Sequence, residues 1–505
     1  MTQDRLYNPQ PPRPAWGVRV DPRKNLSTAR PIVQAPLPAH VQVPLGKHAT
    51  AAAPALVVPG ERVLKGQPVA GSPSGAGNQI CAPVSGTVSA IRPGAVPGAG
   101  ERLVPCIFID SDGADRPHPD CTPAGDPARM QPAELRAAIA RAGIVGLGGA
   151  LFPTAEKLDG DTPVDLLILN GAECEPYISC DEMLMRERAA QVIDGAQIML
   201  MALGCEQAVI AVESDMPEAR LALLAALDEK GDSPVALAEV TAKYPAGGER
   251  QLVELLTGRE VPVTGLPRDA GLVCQNVATA AAVSTLFRTG QPLISRIVTV
   301  TGDGIAEPVN VEARLGAPLA DLVAAAGGYT GTNHRLVMGG PMMGVELPGD
   351  QLPVTEATNC LLVATPDELA APEPEFPCIR CAECSRVCPA RLLPQELLLA
   401  CKADNPERLD ELNLDACIEC GCCDYVCPSH IVLTPRFTQA KTRLQAREAQ
   451  QAQAQQARER SEARLARLAS AGEQFADGPP PDEADAALAA LLARVEGPKQ
   501  EQDDD

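Results

Sequence analysis

The sequence predicts a multidomain chain of α/β and α+β class. Three observations predict it: the length, a glycine-rich loop between helix-like and strand-like segments, and a cysteine array that occurs twice. At roughly 150 residues per domain, the 505 residues suffice for about three domains, each with its own core. A formal charge of −22 excludes a broad nucleic-acid footprint, which needs clustered Lys and Arg to meet phosphates. Aromatic residues make up only 2%, so stacking platforms for single strands are missing and the cores must be built from Ala, Val and Leu. No nucleic-acid partner is expected. The 49 prolines and 42 glycines indicate many turns and linkers.

No stretch reaches the ~18 consecutive apolar residues of a membrane span. The best candidate, Val192 to Val212, is interrupted by Asp194, Gln197, Glu206 and Gln207 and reads as a helix running into a strand. The N-terminus, MTQDRLYNPQPPRPAW, lacks a basic segment followed by an apolar one, so the chain is expected in the cytoplasm. In a reducing compartment its 18 cysteines call for metal ligation or burial and not a disulfide framework.

In chain order, VPGERVLKGQPVAG and ICAPVSGTVSAI read as short strands separated by Gly and Pro turns, with a second Gly-rich stretch at GSPSGAGNQ. PAELRAAIARAG, beginning at Pro132, has helical periodicity. It leads into GIVGLGGALFPTAEK, where Gly146, Gly148 and Gly149 are packed tightly and Lys157 follows. A dinucleotide fingerprint would need a strand immediately before these glycines, so the Rossmann assignment fails on context. On the residues alone, the cluster is either a nest of backbone N–H groups that approaches a phosphate or an ordinary glycine turn. VDLLILN then reads as a strand ending at Asn170, with Glu173 and Glu175 at its mouth. KYPAGGERQL supplies another glycine turn beside Tyr244 and Glu249, and CQNVATA carries Asn276 and Thr279.

Ten cysteines lie between Cys378 and Cys427. Cys378, Cys381, Cys384 and Cys388 follow C-x2-C-x2-C-x3-C-P, and Cys417, Cys420, Cys423 and Cys427 repeat it at an offset of 39. Three closely spaced thiolates wrap three corners of a [4Fe–4S] cube, and a fourth comes from farther away. Zinc needs only two CxxC pairs and has no use for the x3-C-P ending. In two-cluster ferredoxins the fourth cysteine of each run serves the other cluster. On that rule Cys378, Cys381, Cys384 and Cys427 hold one cube, and Cys417, Cys420, Cys423 and Cys388 hold the second. Cys422, whose counterpart is Glu383, is read as a non-ligand; Cys401 is read as a buried helix thiol, and the remaining eight cysteines as packing residues.

The order GxGGAxFPTxxK, N-x-x-E-x-E-P, Y-x-x-G-x-E and N-V-x-T, spanning Gln131 to Ala282, resembles the flavin- and NADH-binding subunit of respiratory complex I. The resemblance implies FMN held by the glycine loop, with NADH stacked on its ring. It implies Gly146, Gly148, Gly149 and Lys157 around the flavin phosphate and ribose, with Asn170, Asn276 and Thr279 completing the FMN site. Glu173 and Glu175 match acids near flavin and nicotinamide, Tyr244 and Glu249 match the turn beneath the isoalloxazine, and Phe152 would face adenine. Gly248 stands in place of one acid of the family's adjacent Glu pair, and Ala172 in place of its Asp.

The N-terminal strands resemble a biotinyl/lipoyl-like sandwich without a lysine at the tip, VSGTV, so no lipoyl or biotin attachment is expected. Arg296 to Gly340 resembles the soluble-ligand-binding (SLBB) β-grasp module, its expected role being packing. From about residue 5 to 440 the chain resembles the RnfC family, the peripheral redox subunits of Rnf-type ion-translocating ferredoxin:NAD oxidoreductase complexes. The expected domains are 1–130 (N-terminal region with the sandwich), 131–290 (FMN and NADH), 291–370 (β-grasp), 371–437 (helical two-cluster ferredoxin) and 438–505 (Ala/Gln/charged helical to disordered tail). The family implies a peripheral location on the cytoplasmic side of the bacterial inner membrane, bound to integral subunits that move Na+ or H+. Ferredoxin or flavodoxin would be reached indirectly. None of the five histidines sits in a catalytic constellation, and His430 is read as a surface residue. Two alternatives are a soluble diaphorase subunit of an NAD(P)-linked hydrogenase or formate dehydrogenase, and a pure iron–sulfur carrier or assembly subunit whose flavin loop is vestigial.

Overall fold

The computed structural model describes residues 6–8, 13–46, 52–72, 78–100, 102–160, 162–369, 373–476 and 485–491. The chain divides into two compact units, Met1–Phe437 and Thr438–Asp505.

At the centre of the first unit lies a five-stranded parallel sheet in the order Leu6–Asn8, Val235–Val240, Ala208–Glu213, Leu166–Gly171, Leu272–Asn276. Every residue of Ala208–Glu213 is buried, as expected of a parallel strand covered on both faces. On one face pack the helices Ala189–Leu203 and Val277–Thr289, which touch where Gly195 meets Ala280; a Cβ at Gly195 would overlap the Ala280 carbonyl. The other face is covered by Glu249–Thr257 through Leu252, Val253 and Leu256. The helix Pro132–Arg141 begins as its sequence dictates: proline sits at the first helical position, and Glu134 accepts from the Gln131 N–H at 2.8 Å.

A six-stranded mixed sheet runs Val345–Leu347, Arg335–Met338, Cys360–Ala364, Ser295–Thr301, Val309–Arg314, Val33–Gln34. The sandwich consists of a four-stranded sheet (His40–Pro44, Val104–Ser111, Gly86–Gly94, Arg62–Val63) and the pair Pro68–Ala70 and Ile80–Cys81. Its core is mainly Val and Ile. Within the region expected as 1–130, the strands Leu6–Asn8 and Val33–Gln34 pair outside this sandwich, with the parallel sheet and the mixed sheet respectively. Strands of two or three residues carry no periodicity from which such pairing could be read.

The cysteine-rich segment is helical: Glu383–Val387, Pro394–Lys402, Pro406–Glu411 and Cys422–Tyr425. The helix Thr434–Ala476 extends into the second unit, where its described side chains are nearly all exposed. Such a polar helix is supported by local pairs such as Gln455–Glu459 at 2.9 Å. A further helix covers 485–491; the rest of the expected tail beyond residue 476, together with most of GSPSGAGNQ, lies outside the described residues. Among the described residues, no helix is long and apolar enough to cross a membrane.

Candidate cofactor sites

The central sheet is doubly wound. In chain order its five strands are arranged 1-4-3-2-5, so the direction of winding reverses between Leu166–Gly171 and Leu272–Asn276. Ligands of open α/β sheets bind outside the carboxyl ends of the strands at such a reversal. Asn170 and Asn276 are register partners there. The glycine loop closes over them as a hairpin, with Val145 bridged to Pro153 and the Gly146 N–H donating to the Phe152 carbonyl at 2.9 Å. It precedes the first strand of the winding and does not follow it, which is why the fingerprint context failed.

Side chains pin this loop. The Thr279 hydroxyl accepts from the Leu147 N–H at 2.9 Å. Asn276 caps its helix through the Ala278 N–H at 2.8 Å and donates to Asp181 at 2.5 Å. Asn170 donates to the Gly247 carbonyl at 2.8 Å. A Cβ at Gly148 would stand 3.4 Å from that of Asn276, whereas one at Gly149, with φ +108°, would meet nothing within 4 Å. The loop thus leaves an open, glycine-walled cradle above the strand ends, which fits a phosphate-bearing group. Lys157 stands at its rim, 2.6 Å from Glu249.

The acids divide. Glu173 is buried and accepts from the N–H groups of Asp181 and Glu182 (3.0 and 3.2 Å) and from the Cys180 thiol (3.3 Å), capping the helix Cys180–Glu187. Burial, with Asp181 beside it, pushes its carboxyl above the usual range. Glu175 accepts from Met342 and Met343 N–H (2.7 and 3.1 Å), joining the parallel sheet to the β-grasp module. Tyr244 is buried, and its hydroxyl donates to the Cys420 carbonyl at 2.7 Å. Phe152 stays apart, 45% exposed.

Two residues that sequence reasoning missed support this arrangement. Asp181 holds Asn276; its acidity in the first turn of a helix was the available signal. Lys24 is buried, donates to the Glu173 carbonyl at 2.5 Å and pairs with Glu213 at 3.5 Å. Burial alone would lower its pKa, but Glu213 and Glu173 raise it. Glu213 is itself pushed up to about 7, because burial together with Asp215 and Glu182 outweighs the pull of Lys24. Nothing in DPRKN distinguishes such a lysine from a solvated one.

Two cavities lie in the cysteine-rich segment. Cys378, Cys381, Cys384 and Cys427 line one; Cys388, Cys417, Cys420 and Cys423 line the other. Each therefore draws three cysteines from one run and the fourth from the other. The backbone repeats with the ligands: Arg380 and Glu419, Ala382 and Gly421, and Arg391 and His430 all have positive φ, each pair separated by the same 39 positions. The donor set, four thiols per cavity with three from one run and one from the other, fits a [4Fe–4S] cube.

Cys422 is buried and also lines the second cavity. Cys401, expected buried, is half-buried, since its helix is only two turns long and turns one side outward. Of the eight scattered cysteines six are buried, and Cys121 and Cys174 are half-buried. His430 is exposed, 3.3 Å from Glu373.

Three family models match parts of the chain. Residues 139–285 match the family described as the Nuo51 FMN-binding domain, residues 15–114 the RnfC barrel sandwich hybrid domain, and residues 297–346 the SLBB domain. The C subunit of the ion-translocating oxidoreductase complex of Pseudomonas aeruginosa is 46% identical over 79% of this chain and 51% of its own length. That of Rhodobacter capsulatus is 42% identical over 86% of this chain and 83% of its own length. The chain spans about half the length of several curated relatives it matches, the first of these two included. Among solved structures, an NAD+-reducing [NiFe]-hydrogenase in the air-oxidised state is 23% identical, covering 58% of this chain and 55% of that one, with a TM-score of 0.41.

Proposed function

The chain belongs to the RnfC family, the C subunits of ion-translocating oxidoreductase complexes, and from that membership we propose that it carries electrons between NADH/NAD+ and the one-electron centres of a membrane complex. In this reading it is a peripheral subunit on the cytoplasmic side of the bacterial inner membrane. Integral subunits of the complex move Na+ or H+, and ferredoxin is the remote redox partner.

The observation that carries the proposal is the pair of four-cysteine cavities on the same chain as a glycine-walled cradle at the winding reversal of a parallel sheet. When bound, FMN would exchange a hydride with nicotinamide and single electrons with [4Fe–4S] cubes. The protein positions and insulates. The backbone N–H groups of Gly148 and Gly149 and the Lys157 ammonium would receive phosphate, Asn170 and Asn276 frame the floor, and Thr279 keeps the loop in place through Leu147. Glu173 acts indirectly, by fixing the helix whose Asp181 holds Asn276. The eight cysteines would supply the thiolate ligands, with N–H donors such as Leu392 on the Cys388 sulfur at 3.4 Å.

Anaerobic reconstitution tests this reading. The protein should hold about eight iron atoms and one FMN, and NADH should bleach both chromophores. Iron far below that number, or a flavin that NADH does not bleach, refutes it.

A further inference from the structure

The two cysteine cavities are alike in sequence and unlike in surroundings. The Cys388–Cys417–Cys420–Cys423 cavity is backed by the nucleotide-binding module. Buried Cys420 and Cys422 pack with Val18 and Tyr244, the Tyr244 hydroxyl donates to the Cys420 carbonyl at 2.7 Å, and Gly421 lies against the Met342 carbonyl, where a Cβ would come within 3.0 Å. Met342 in turn donates to Glu175. The other cavity faces out. Cys378 is the one exposed cysteine of the eight, residues 373–380 are exposed throughout, and Phe376 and Ile379 are 59% and 69% exposed. Phe376 is held at that rim by its N–H, which donates to the Ser429 carbonyl at 2.9 Å, and Ser429 lines the cavity.

We propose that the cavities have different jobs: Tyr244 positions the inner one beside the flavin site, and the Phe376–Ile379 rim of the outer one is the docking surface for a redox protein that carries a one-electron centre near its own surface. The proposal rests on the function stated above. The occupant follows from the exposure of Cys378, which as a ligand would bring one corner of a cluster to the surface among apolar side chains. A transient electron-transfer contact needs such a face: small, partly apolar and centred on the redox group. The stoichiometry closes with two passages. NADH becomes NAD+ and releases a proton and two electrons; each electron crosses the outer rim singly and reduces the partner's centre by one.

The test uses the holoprotein. Cys417→Ala and Cys378→Ala identify which low-temperature EPR signal belongs to which cavity. Tyr244→Phe should then shift the midpoint of the signal lost in Cys417→Ala and leave the other unmoved. A shift of the other signal, of both equally or of neither overturns the inner assignment. Should Tyr244→Phe not assemble, an iron chelator applied to the unaltered protein decides: the signal belonging to Cys378 should disappear first, and simultaneous or reversed loss overturns the order.

For the rim, Phe376→Glu should keep both EPR signals and their reduction by NADH, yet slow reoxidation by membranes stripped of this chain at least tenfold. Leu221→Glu, an equally exposed apolar position elsewhere, should not. Equal rates for the two variants overturn the docking surface. Failure to find two clusters at all would sink the proposed function, and is recognised by iron content before either variant is made.

Discussion

Crossed ligation makes a prediction that pairs of alanine variants can decide. Each cavity is lined by three cysteines of one run and one of the other, so on the proposed ligation Cys381 and Cys427 would serve one cube while Cys381 and Cys388 would serve different ones. A cube holds four irons, and a missing ligand in a half-exposed cavity leaves it open to loss. Cys381→Ala and Cys427→Ala should each cost about four irons per chain, and the double variant also about four, because the second change acts on a cube already gone. Cys381→Ala with Cys388→Ala should cost about eight. Uncrossed ligation, in which each run keeps its own fourth cysteine, exchanges the two results: the first pair would lose eight and the second four. Iron and acid-labile sulfide per chain after anaerobic reconstitution read the difference directly, and EPR shows which signal survives. If the Cys381/Cys427 pair empties both sites, the reasoning from the cavity linings is refuted.

Two further outcomes follow from the nucleotide module. The ordinary Glu213 value of 4.5 rises to about 7 in the folded chain, so the folded state binds this proton more tightly than the unfolded one. Its contribution to stability is therefore present below pH 4.5 and lost as pH rises through 7, at most about 3 kcal/mol. Glu213→Gln should flatten the pH dependence of the denaturant midpoint across that window, and an unchanged slope would count against the burial argument. Lys157 and Glu249 are 26% and 40% exposed, so Lys157→Ala should change stability by less than about 1 kcal/mol. It should nevertheless weaken FMN binding by about tenfold, the loss of one charge-assisted contact. Flavin titration followed by fluorescence checks it, and unaltered affinity would remove Lys157 from the site.

What could be read from the sequence was local. The cysteine spacing and the 39-residue offset are covalent facts, and the glycine loop, the strand VDLLILN and the helix from Pro132 each announce themselves within fifteen residues. The positive φ at Arg380, Arg391 and Glu419 could not be read, since none is the glycine or asparagine that usually marks such a turn. Nor could the spending of side chains on the protein itself. Glu173 and Thr279 stand in motif positions that suggest a ligand, but their oxygens hold a helix N-terminus and a loop N–H. They shape the site from behind, a role that depends on partners 8 and 132 residues away.

The junction between the modules shows why distant pairing matters most here. Tyr244 and Cys420, 176 residues apart, share a hydrogen bond. Tyr244 also exchanges two backbone hydrogen bonds with Val18, at 2.8 and 3.1 Å, while the Gly17 N–H donates to the Val387 carbonyl at 2.9 Å. The N-terminal segment is thus a strap laid across both modules. Gly17 is the residue that lets it lie flat: its φ is +84°, and a Cβ there would overlap the Tyr244 carbonyl. A side chain would lift the strap from the very turn that contacts Cys420. Electron transfer over such a contact depends on a fixed separation, and a linker alone would leave two domains free to move. The strap, the buried Tyr244 and the Glu175–Met342 bond together remove that freedom, so the geometry between the glycine loop and the inner cavity is set by packing in the folded unit and not by the length of chain that joins them.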